Sequence, residues 1–351
     1  MKKIRNKIRV GVSVGDLNGI GMEVIIKTFM DKRMMDFCTP IVFGSGKTAA
    51  FHRKALEIQN FSFNVINDFK DVNNNKANLI NCWKEDIEIQ LGEANDDIGK
   101  YAYLSLEKAK EALKKEEIDV LVTAPINKSS IKKNQDNFIG HTEYLEQNFE
   151  GDSLMMMVSN NMKIAFVTSH VPLSEVPNLL TKEKIISNLK SMNTTLIQDF
   201  GIQKPKIAVI GLNPHAGEEG MLGKEEEEII IPAIQESNKE EGVLAFGPYP
   251  ADSFFTSTNL NRFDAILSMY HDQGLTPFKT LSFSEGVNYT SGLEIVRTSP
   301  VHGTAYDIAG KNIADEQSLR EAVYLSCEII KKREEYFLLK KNALNIKKSE
   351  D

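Results

Sequence analysis

Three of the chain's six histidines stand at the same kind of place. Lys163-Ile-Ala-Phe-Val-Thr-Ser leads to His170, Lys206-Ile-Ala-Val-Ile-Gly-Leu-Asn-Pro to His215, and Phe263-Asp-Ala-Ile-Leu-Ser-Met-Tyr to His271. Each leader is a short apolar run rich in β-branched and aliphatic residues. It reads as a buried strand that delivers its histidine just past the carboxyl end. In an open parallel sheet, ligands bind outside that edge. Three imidazoles meeting there, with water in the fourth position, make a tetrahedral catalytic metal site.

Other strand ends carry polar turns of the same character. Gly15-Asp16-Leu17-Asn18-Gly19-Ile20-Gly21 follows the first strand. Its glycines suit either a close approach of backbone to a ligand at a helix start or a plain tight turn. His141 and Thr142, after Gly140, open a helix, where they can bind an anion or simply cap. Asn213 to Glu218 and Pro250 to Ser253 are similar turns, the second carrying Asp252. The densest stretch is Tyr270 to Asp315. It holds His271, Asp272, Gln273, Lys279, Asn288, Arg297 and His302 among glycines with little periodicity, as expected of a functional loop on a rigid scaffold. Lys279, Asn288 and Arg297 together suit a phosphate or carboxylate; singly, each is an ordinary surface residue. Gly44-Ser-Gly46-Lys47-Thr48 resembles the end of a P-loop, but Ile41 stands where its first glycine belongs. Its match to a dinucleotide fingerprint is isolated, so an ordinary strand-to-helix turn is expected. Cys82 and Trp83 read as packing.

These residues need a scaffold, and the chain alternates strand-like and helix-like segments from end to end. Strands are expected at Arg9 to Val14, at Pro40 to Phe43, at Asp119 to Thr123 and in the three histidine leaders. Helices are expected near 22–30, 101–117, 182–198, 224–236 and 315–338. This rhythm predicts a mostly parallel sheet with helices on both faces. Residues 60–97, polar and Asn/Asp-rich, are expected to be peripheral. At 351 residues and 41% hydrophobic, the chain can bury a large core, as about two domains or one large α/β unit. A net charge of −7 gives no footprint for nucleic acid, and no apolar run is long enough to cross a membrane. Three distant cysteines fit a reduced, cytoplasmic protein, and the N-terminal Met1-Lys2-Lys3 is not followed by a signal-peptide core. The Lys/Arg clusters at Met1 to Arg9 and Lys340 to Lys348 read as solvated ends, with 340–351 a frayed tail.

The motifs in order are Gly15-Asp-Leu-Asn-Gly-Ile-Gly, Gly140-His-Thr-Glu, Ser169-His-Val-Pro-Leu, Gly211-Leu-Asn-Pro-His-Ala-Gly-Glu, Gly247-Pro-Tyr-Pro-Ala-Asp and Tyr270-His-Asp-Gln-Gly-Leu. Gly286-Val-Asn and Arg297-Thr-Ser-Pro-Val-His-Gly-Thr-Ala-Tyr-Asp-Ile-Ala-Gly complete the set. Together, over about residues 8–335, they resemble the 4-hydroxythreonine-4-phosphate dehydrogenases of the vitamin B6 pathway. The last stretch is also similar to the NAD loop of isocitrate and isopropylmalate dehydrogenases.

The resemblance implies an α/β fold of that wider class, with the active site in a cleft between two subdomains of mostly parallel sheet. One subdomain would span about 1–138 plus 289–339, and the other about 139–288, as one catalytic unit of 1–339. It implies a homodimer with shared active sites, and His170, His215 and His271 as ligands of one divalent metal, His271 crossing the dimer interface. Zinc is the default metal, with cobalt, magnesium or manganese as alternatives. It implies that His141, Thr142, Lys279, Asn288 and Arg297 bind a phosphorylated hydroxy amino acid, and that His302, Gly303, Asp307 and Asn312 bind NAD or NADP. Asp252 and Lys279 are the candidate bases. The chain departs from the family pattern at Val14, Leu17 and Asn18, where Pro, Pro and Ala are frequent, and in a longer 60–97 segment and a longer tail. Two readings of other classes are a metal hydrolase without nucleotide and a non-catalytic metal or nucleotide sensor.

Overall fold

The computed structural model describes residues 7–342. Its strands are β1 (Ile8–Ser13), β2 (Cys38–Gly44), β3 (Asn64–Ile66), β4 (Asn78–Asn81), β5 (Val120–Thr123), β6 (Gly151–Val158), β7 (Lys163–Thr168), β8 (Lys206–Ile210), β9 (Leu244–Tyr249), β10 (Ala265–Tyr270), β11 (Val287–Leu293) and β12 (Arg297–Pro300). They form one sheet in the order β3-β4-β2-β1-β5-β12-β11-β6-β7-β10-β8-β9. Pairing is parallel except at β12–β11, β11–β6 and β6–β7. Three antiparallel steps reverse direction, so the two parallel flanks run opposite ways. The strand twist, about 20–25° per pairing, accumulates to roughly 120–150° over the six pairings from β1 to β10. The two mostly parallel sheets implied by the resemblance are thus two flanks of one sheet with an antiparallel centre.

Helices cover both faces, which is why flank strands such as β2 and β7 are buried and apolar almost throughout. Along β5, Val120 and Val122 enter the core beneath helices Gly21–Met30 and Gln317–Lys341, while Leu121 enters the cluster formed with Asp96–Lys114. In the other flank, Ala165 and Val167 of β7 join the first core, and Ile164 and Phe166 pack with Phe278 of helix His271–Ser282. Each fully buried aliphatic or aromatic side chain contributes about 1.5–3 kcal/mol.

Four expectations change. Tyr270 to Asp315 is not irregular: it contains helix His271–Ser282, β11 and β12. Gly274 and Pro277 inside that helix hid its period. Gly274 is required, because a Cβ there would lie 2.6 Å from both Ile164 Cδ1 and Ser268 Oγ, where helix and strand pack closely. The expected helix at 224–236 begins with a π turn, Glu226–Ile230, and continues as Ile231–Glu240. The last helix extends to Lys341, so Lys340 and Lys341 are not frayed; residues 343–351 lie outside those described, as do 1–6 of the N-terminal cluster. Segment 60–97 is not merely peripheral, since it supplies β3 and β4, the last two strands at one end of the sheet.

Candidate active site

Strands β7, β10, β8 and β9 are parallel neighbours, so their carboxyl ends line one edge. Thr168 and Tyr270 are register partners at the ends of β7 and β10. His170 and His271 therefore emerge side by side, with ring centres 5.8 Å apart. Two imidazoles bound to one tetrahedral ion, with metal–nitrogen distances of about 2.0–2.1 Å, have ring centres roughly 5 Å apart. The His271 Nδ1 lies 2.6 Å from Asp272 Oδ1. That fixes the ring and leaves Nε2 outward, as in the carboxylate–histidine arrangement that backs metal ligands. Partial burial, then the charges of Lys128 and His271, push the His170 pKa down, which favours the neutral, ligating form.

His215 lies beyond β8 on the Pro214–Gly217 turn, exposed. Six consecutive residues, His215 to Gly220, have positive φ, and four of them are not glycine. Such a run of left-handed backbone is costly and must be held from outside. Glu226, almost fully buried, accepts Asn213 N at 2.7 Å and Asn213 Nδ2 at 2.9 Å, pinning the turn's base. Helix Ala251–Phe254 packs against this turn, with Asp252 exposed on it. Within one chain, among the described residues, no three His, Cys, Asp or Glu side chains converge on a point that could hold a metal. The structure brings His170 and His271 together and leaves His215 on its own loop at the same edge.

At the sheet's centre is a second constellation. Arg297, on β12, is only 3% exposed. Its Nε and Nη2 donate to Thr123 Oγ1 at 3.0 and 2.6 Å, and its Nη1 donates to Thr290 Oγ1 at 3.0 Å. These partners are neutral. Burial pulls the Arg297 pKa down to about 10, against the opposing charge of Glu143. Thr142 Oγ1 lies 3.5 Å from Thr290 Oγ1. The buried His141 Nε2 and Asn288 Oδ1 have no hydrogen-bond partner. Burial, then the charges of Arg297 and Lys128, hold the His141 pKa well below the usual range. A buried guanidinium beside an unpartnered imidazole nitrogen is unfavourable unless an anion completes the set, whereas the Asn288 carbonyl oxygen calls for a donor. The two centres adjoin, because Lys128 and Glu143 act on His170 as well.

Loop 302–314 follows β12. His302 Nδ1 lies 3.1 Å from the Gly303 carbonyl, its Nε2 is buried without a partner, and burial lowers its pKa, with Lys279 adding to the effect. Gly303 and Asp307 are exposed, and a Cβ on Gly303 would meet nothing within 4 Å. Asn312 is exposed, but its Nδ2 donates to the Leu56 carbonyl at 3.2 Å. The first glycine turn does not open to a ligand: residues 15–20 are all buried, and a Cβ on Gly19 would lie 2.7 Å from the Thr304 carbonyl. It packs beneath the 302–314 loop.

Lys279, Asn288 and Arg297 are not on one loop, as their sequence setting suggested, but on a helix and two strands. Lys279 is partly exposed on the side facing His302. Sequence reasoning missed Thr290 and the roles of Thr123, Glu143, Lys128 and Asp272. Period-2 alternation along β11 puts Asn288 and Thr290 on one face and was the available signal for Thr290. The Gly44–Thr48 stretch is the ordinary turn expected: Ser45 precedes helix Gly46–Ala55, and Lys47 pairs with Asp86 at 2.7 Å. Trp83 packs on Tyr101.

Comparisons with known proteins bear on the fold and the family. Residues 36–326 match the family described as pyridoxal phosphate biosynthetic protein PdxA. A 4-hydroxythreonine-4-phosphate dehydrogenase of Bacteroides thetaiotaomicron is 48% identical over 331 residues, 94% of this chain and 90% of that protein. A relative from Oceanobacillus iheyensis, provisionally named D-threonate 4-phosphate dehydrogenase, is 38% identical over 91% of this chain and 97% of its own length. The crystal structure of a 4-hydroxythreonine-4-phosphate dehydrogenase from Klebsiella pneumoniae superposes with a TM-score of 0.80 at 29% identity, covering 93% of this chain and 99% of that one. With its fold, its strand-end histidines and its buried arginine pocket, the chain belongs to the PdxA family of dehydrogenases of vitamin B6 biosynthesis.

Proposed function

We propose that the chain oxidises 4-phosphohydroxy-L-threonine at its C3 hydroxyl, with NAD or NADP as acceptor. The product, 2-amino-3-oxo-4-phosphooxybutanoate, then loses CO2 to give 3-amino-2-oxopropyl phosphate. The observation that carries the reading is Arg297, a buried cation whose partners are all neutral, beside the unpartnered His141 Nε2; the unpartnered Asn288 Oδ1, an acceptor, would take a hydroxyl or ammonium of the substrate. Arg297 and His141 fit a phosphate, held by Arg297 through paired N–H groups with Thr142 at its margin, and Lys279, which faces His302, would reach the substrate from that side. His170 and His271 fit a divalent ion by donor type and by the Asp272 bond that leaves the His271 Nε2 free. Such an ion, zinc by preference, would acidify the substrate hydroxyl and stabilise the negative charge left by departing CO2. His302, Gly303, Asp307 and Asn312 would hold the dinucleotide, with the unpartnered His302 Nε2 as one contact. Asp252 and Lys279 are the candidate proton acceptors. The cleft between the two flanks, taken as subdomains of about 1–138 plus 289–339 and about 139–288, would exclude water around the reacting carbon.

The enzyme would work as a homodimer in the cytoplasm. Exposed apolar residues flank the histidine edge: Val171 and Leu173 beyond His170, Met221 and Leu222 beyond His215. Such a patch supports a subunit contact at the site. The His271 ring centre already stands 5.8 Å from that of His170 in its own chain, and it is the family resemblance that implies its contribution in trans. Inactive His170→Ala and His271→Ala subunits, mixed into heterodimers, should then recover part of the activity, because one of the two composite sites is intact. Heterodimers without activity would assign His271 to its own chain.

A second reading is favoured by the Oceanobacillus relative: a sister dehydrogenase acting on D-threonate 4-phosphate or 4-phosphoerythronate. The deciding experiment follows NADH formation from each of these three substrates, with and without chelator. Chelator-sensitive turnover is expected, fastest with 4-phosphohydroxythreonine. Faster turnover of a sister substrate would transfer the assignment, and chelator-resistant turnover would remove the metal from it.

A further inference from the structure

The first glycine turn and the 60–97 segment touch each other. Asn18 is fully buried. Its Nδ2 donates to the Glu93 carbonyl at 2.8 Å, its Oδ1 accepts Gln90 N at 3.0 Å, and its backbone carbonyl accepts Gly92 N at 2.9 Å. An alanine at this position makes neither side-chain bond. Asn18 therefore clasps the end of the long 60–97 segment, and that end lies directly under the 302–314 loop. Gly92, at φ +86°, brings its backbone so close that a Cβ would lie 2.9 Å from the Tyr306 carbonyl. The Leu91 side chain fills the space beneath Gly310, where a Cβ would lie 2.6 Å from Leu91 Cδ1.

The same residues grip the loop from a second side. Asp16 Oδ1 accepts Asn18 N at 2.9 Å, while Asp16 Oδ2 accepts the Tyr306 hydroxyl at 2.8 Å. Asn127 Nδ2 donates to that hydroxyl at 3.1 Å. Ile20 N donates to the Thr304 carbonyl at 3.0 Å, and Ala314 N to Glu23 Oε1 at 2.9 Å. The only regular structure in the loop is the short Tyr306–Ile308 turn, so its shape is set by these contacts. Its inner side is engaged apart from the unpartnered His302 Nε2, and Gly303, Asp307 and Lys311 face outward.

We propose that Gln90–Glu93, clasped by Asn18, is a brace that holds the 302–314 loop in its nucleotide-binding shape and so sets dinucleotide affinity in this chain. The inference rests on reading that loop as the dinucleotide site. Asn18 and Leu91 are positioning residues: Leu91 lies beneath Gly310 of the loop, and Asn18 acts on the loop through Gln90–Glu93. Without the brace, part of the population holds the loop in other shapes, and apparent affinity falls by the competent fraction.

The test measures NAD binding by calorimetry, and separately 4-phosphohydroxythreonine binding and thermal melting, for wild type, Asn18→Ala and Leu91→Ala in the full chain. Losing two buried hydrogen bonds should weaken NAD binding roughly 5- to 30-fold in Asn18→Ala, with substrate binding within about twofold. Leu91→Ala, which removes packing and no hydrogen bond, should shift NAD binding in the same direction by a smaller factor; it carries the test if Asn18→Ala does not fold. Unchanged NAD affinity in a folded variant overturns the brace. So does an equal loss of NAD and substrate binding, which marks a general folding role. Wild type that binds neither NAD nor NADP is a separate result, and it removes the nucleotide reading together with the brace.

Discussion

Arg297 and Arg333 sit in two regions served by the same strand. Both are buried, at 3% and 5% exposure. On β11, Tyr289 points to Arg333 and the next residue, Thr290, points the opposite way to Arg297. Arg333 is saturated. It pairs with Asp199 at 2.6 Å, donates to Tyr289 Oη at 2.9 Å and reaches the carbonyls of Glu294 and Ile295 at 3.0 and 3.1 Å. Despite burial, the facing Tyr289 and Asp199 raise its pKa, and Tyr289 also bonds to Asp199. Arg297 has only threonine hydroxyls, and burial lowers its pKa. The difference separates a cation that belongs to the fold from one that awaits a ligand. Asp199 ends the helix Lys182–Gln198 over the histidine flank, and Arg333 rides the C-terminal helix over β5 and β12, so the saturated set ties the two flanks together.

The comparison breaks most visibly at the seam. Asp199→Ala leaves Arg333 buried and unpaired, and should lower unfolding stability by about 3–5 kcal/mol, measured by urea denaturation. A loss below about 1 kcal/mol would mean that the seam is not structural. Arg297→Met should do the reverse. Removing an uncompensated buried charge should leave stability unchanged or raised, while kcat/KM for the phosphorylated substrate falls by roughly 30-fold or more, equivalent to about 2–5 kcal/mol of lost phosphate contact. A substrate analogue lacking phosphate should lose far less. Equal losses for both substrates would move Arg297 from the phosphate pocket to the fold.

The smallest effect comes from a third buried base. His52, on helix Gly46–Ala55, is 2% exposed, and burial lowers its pKa from 6.5 to about 4. The folded state therefore binds this proton less readily than the unfolded chain. Its contribution is complete above about pH 6.5 and is lost as the pH falls toward 4. From pH 7 to pH 5 the loss should be about 2 kcal/mol, about 1.4 kcal/mol for each pH unit below 6.5. His52→Leu should flatten the pH dependence of the urea midpoint over that range by this amount. An unchanged slope would show that His52 stays hydrated.

Much of the scaffold was legible because buried parallel strands announce themselves as unbroken apolar runs, as at Ile164–Val167 and Ile207–Ile210. The edge on which the histidines emerge follows from that alone. What the residues could not disclose was the reversal at the centre. β6 and β11 are antiparallel, and β11 is interrupted by Gly292, so neither repeats the flank pattern. Helix His271–Ser282 was hidden by Gly274 and Pro277, each serving a packing need invisible in one dimension. At the site, the histidines and the arginine were legible because their chemistry is rare. Thr123 and Thr290 were not, since threonine is common in strands and only the folded pairing shows which hydroxyls meet a guanidinium. The work of Asn18 was hidden for a related reason: it bonds to backbone atoms more than seventy positions away.

The place of β12 has a consequence for how the chain is made. β5 pairs with β1 on one side, and its other edge is covered only by β12. Thr123 and Arg297 are 174 positions apart. At about 5–20 residues per second, a ribosome needs on the order of 10–30 s to bridge that gap. Throughout that interval Val120–Thr123 presents an open apolar edge, the kind that recruits strands from neighbouring chains. The nascent protein is therefore most prone to aggregate midway through synthesis, and it stays so until β12 emerges to close the sheet.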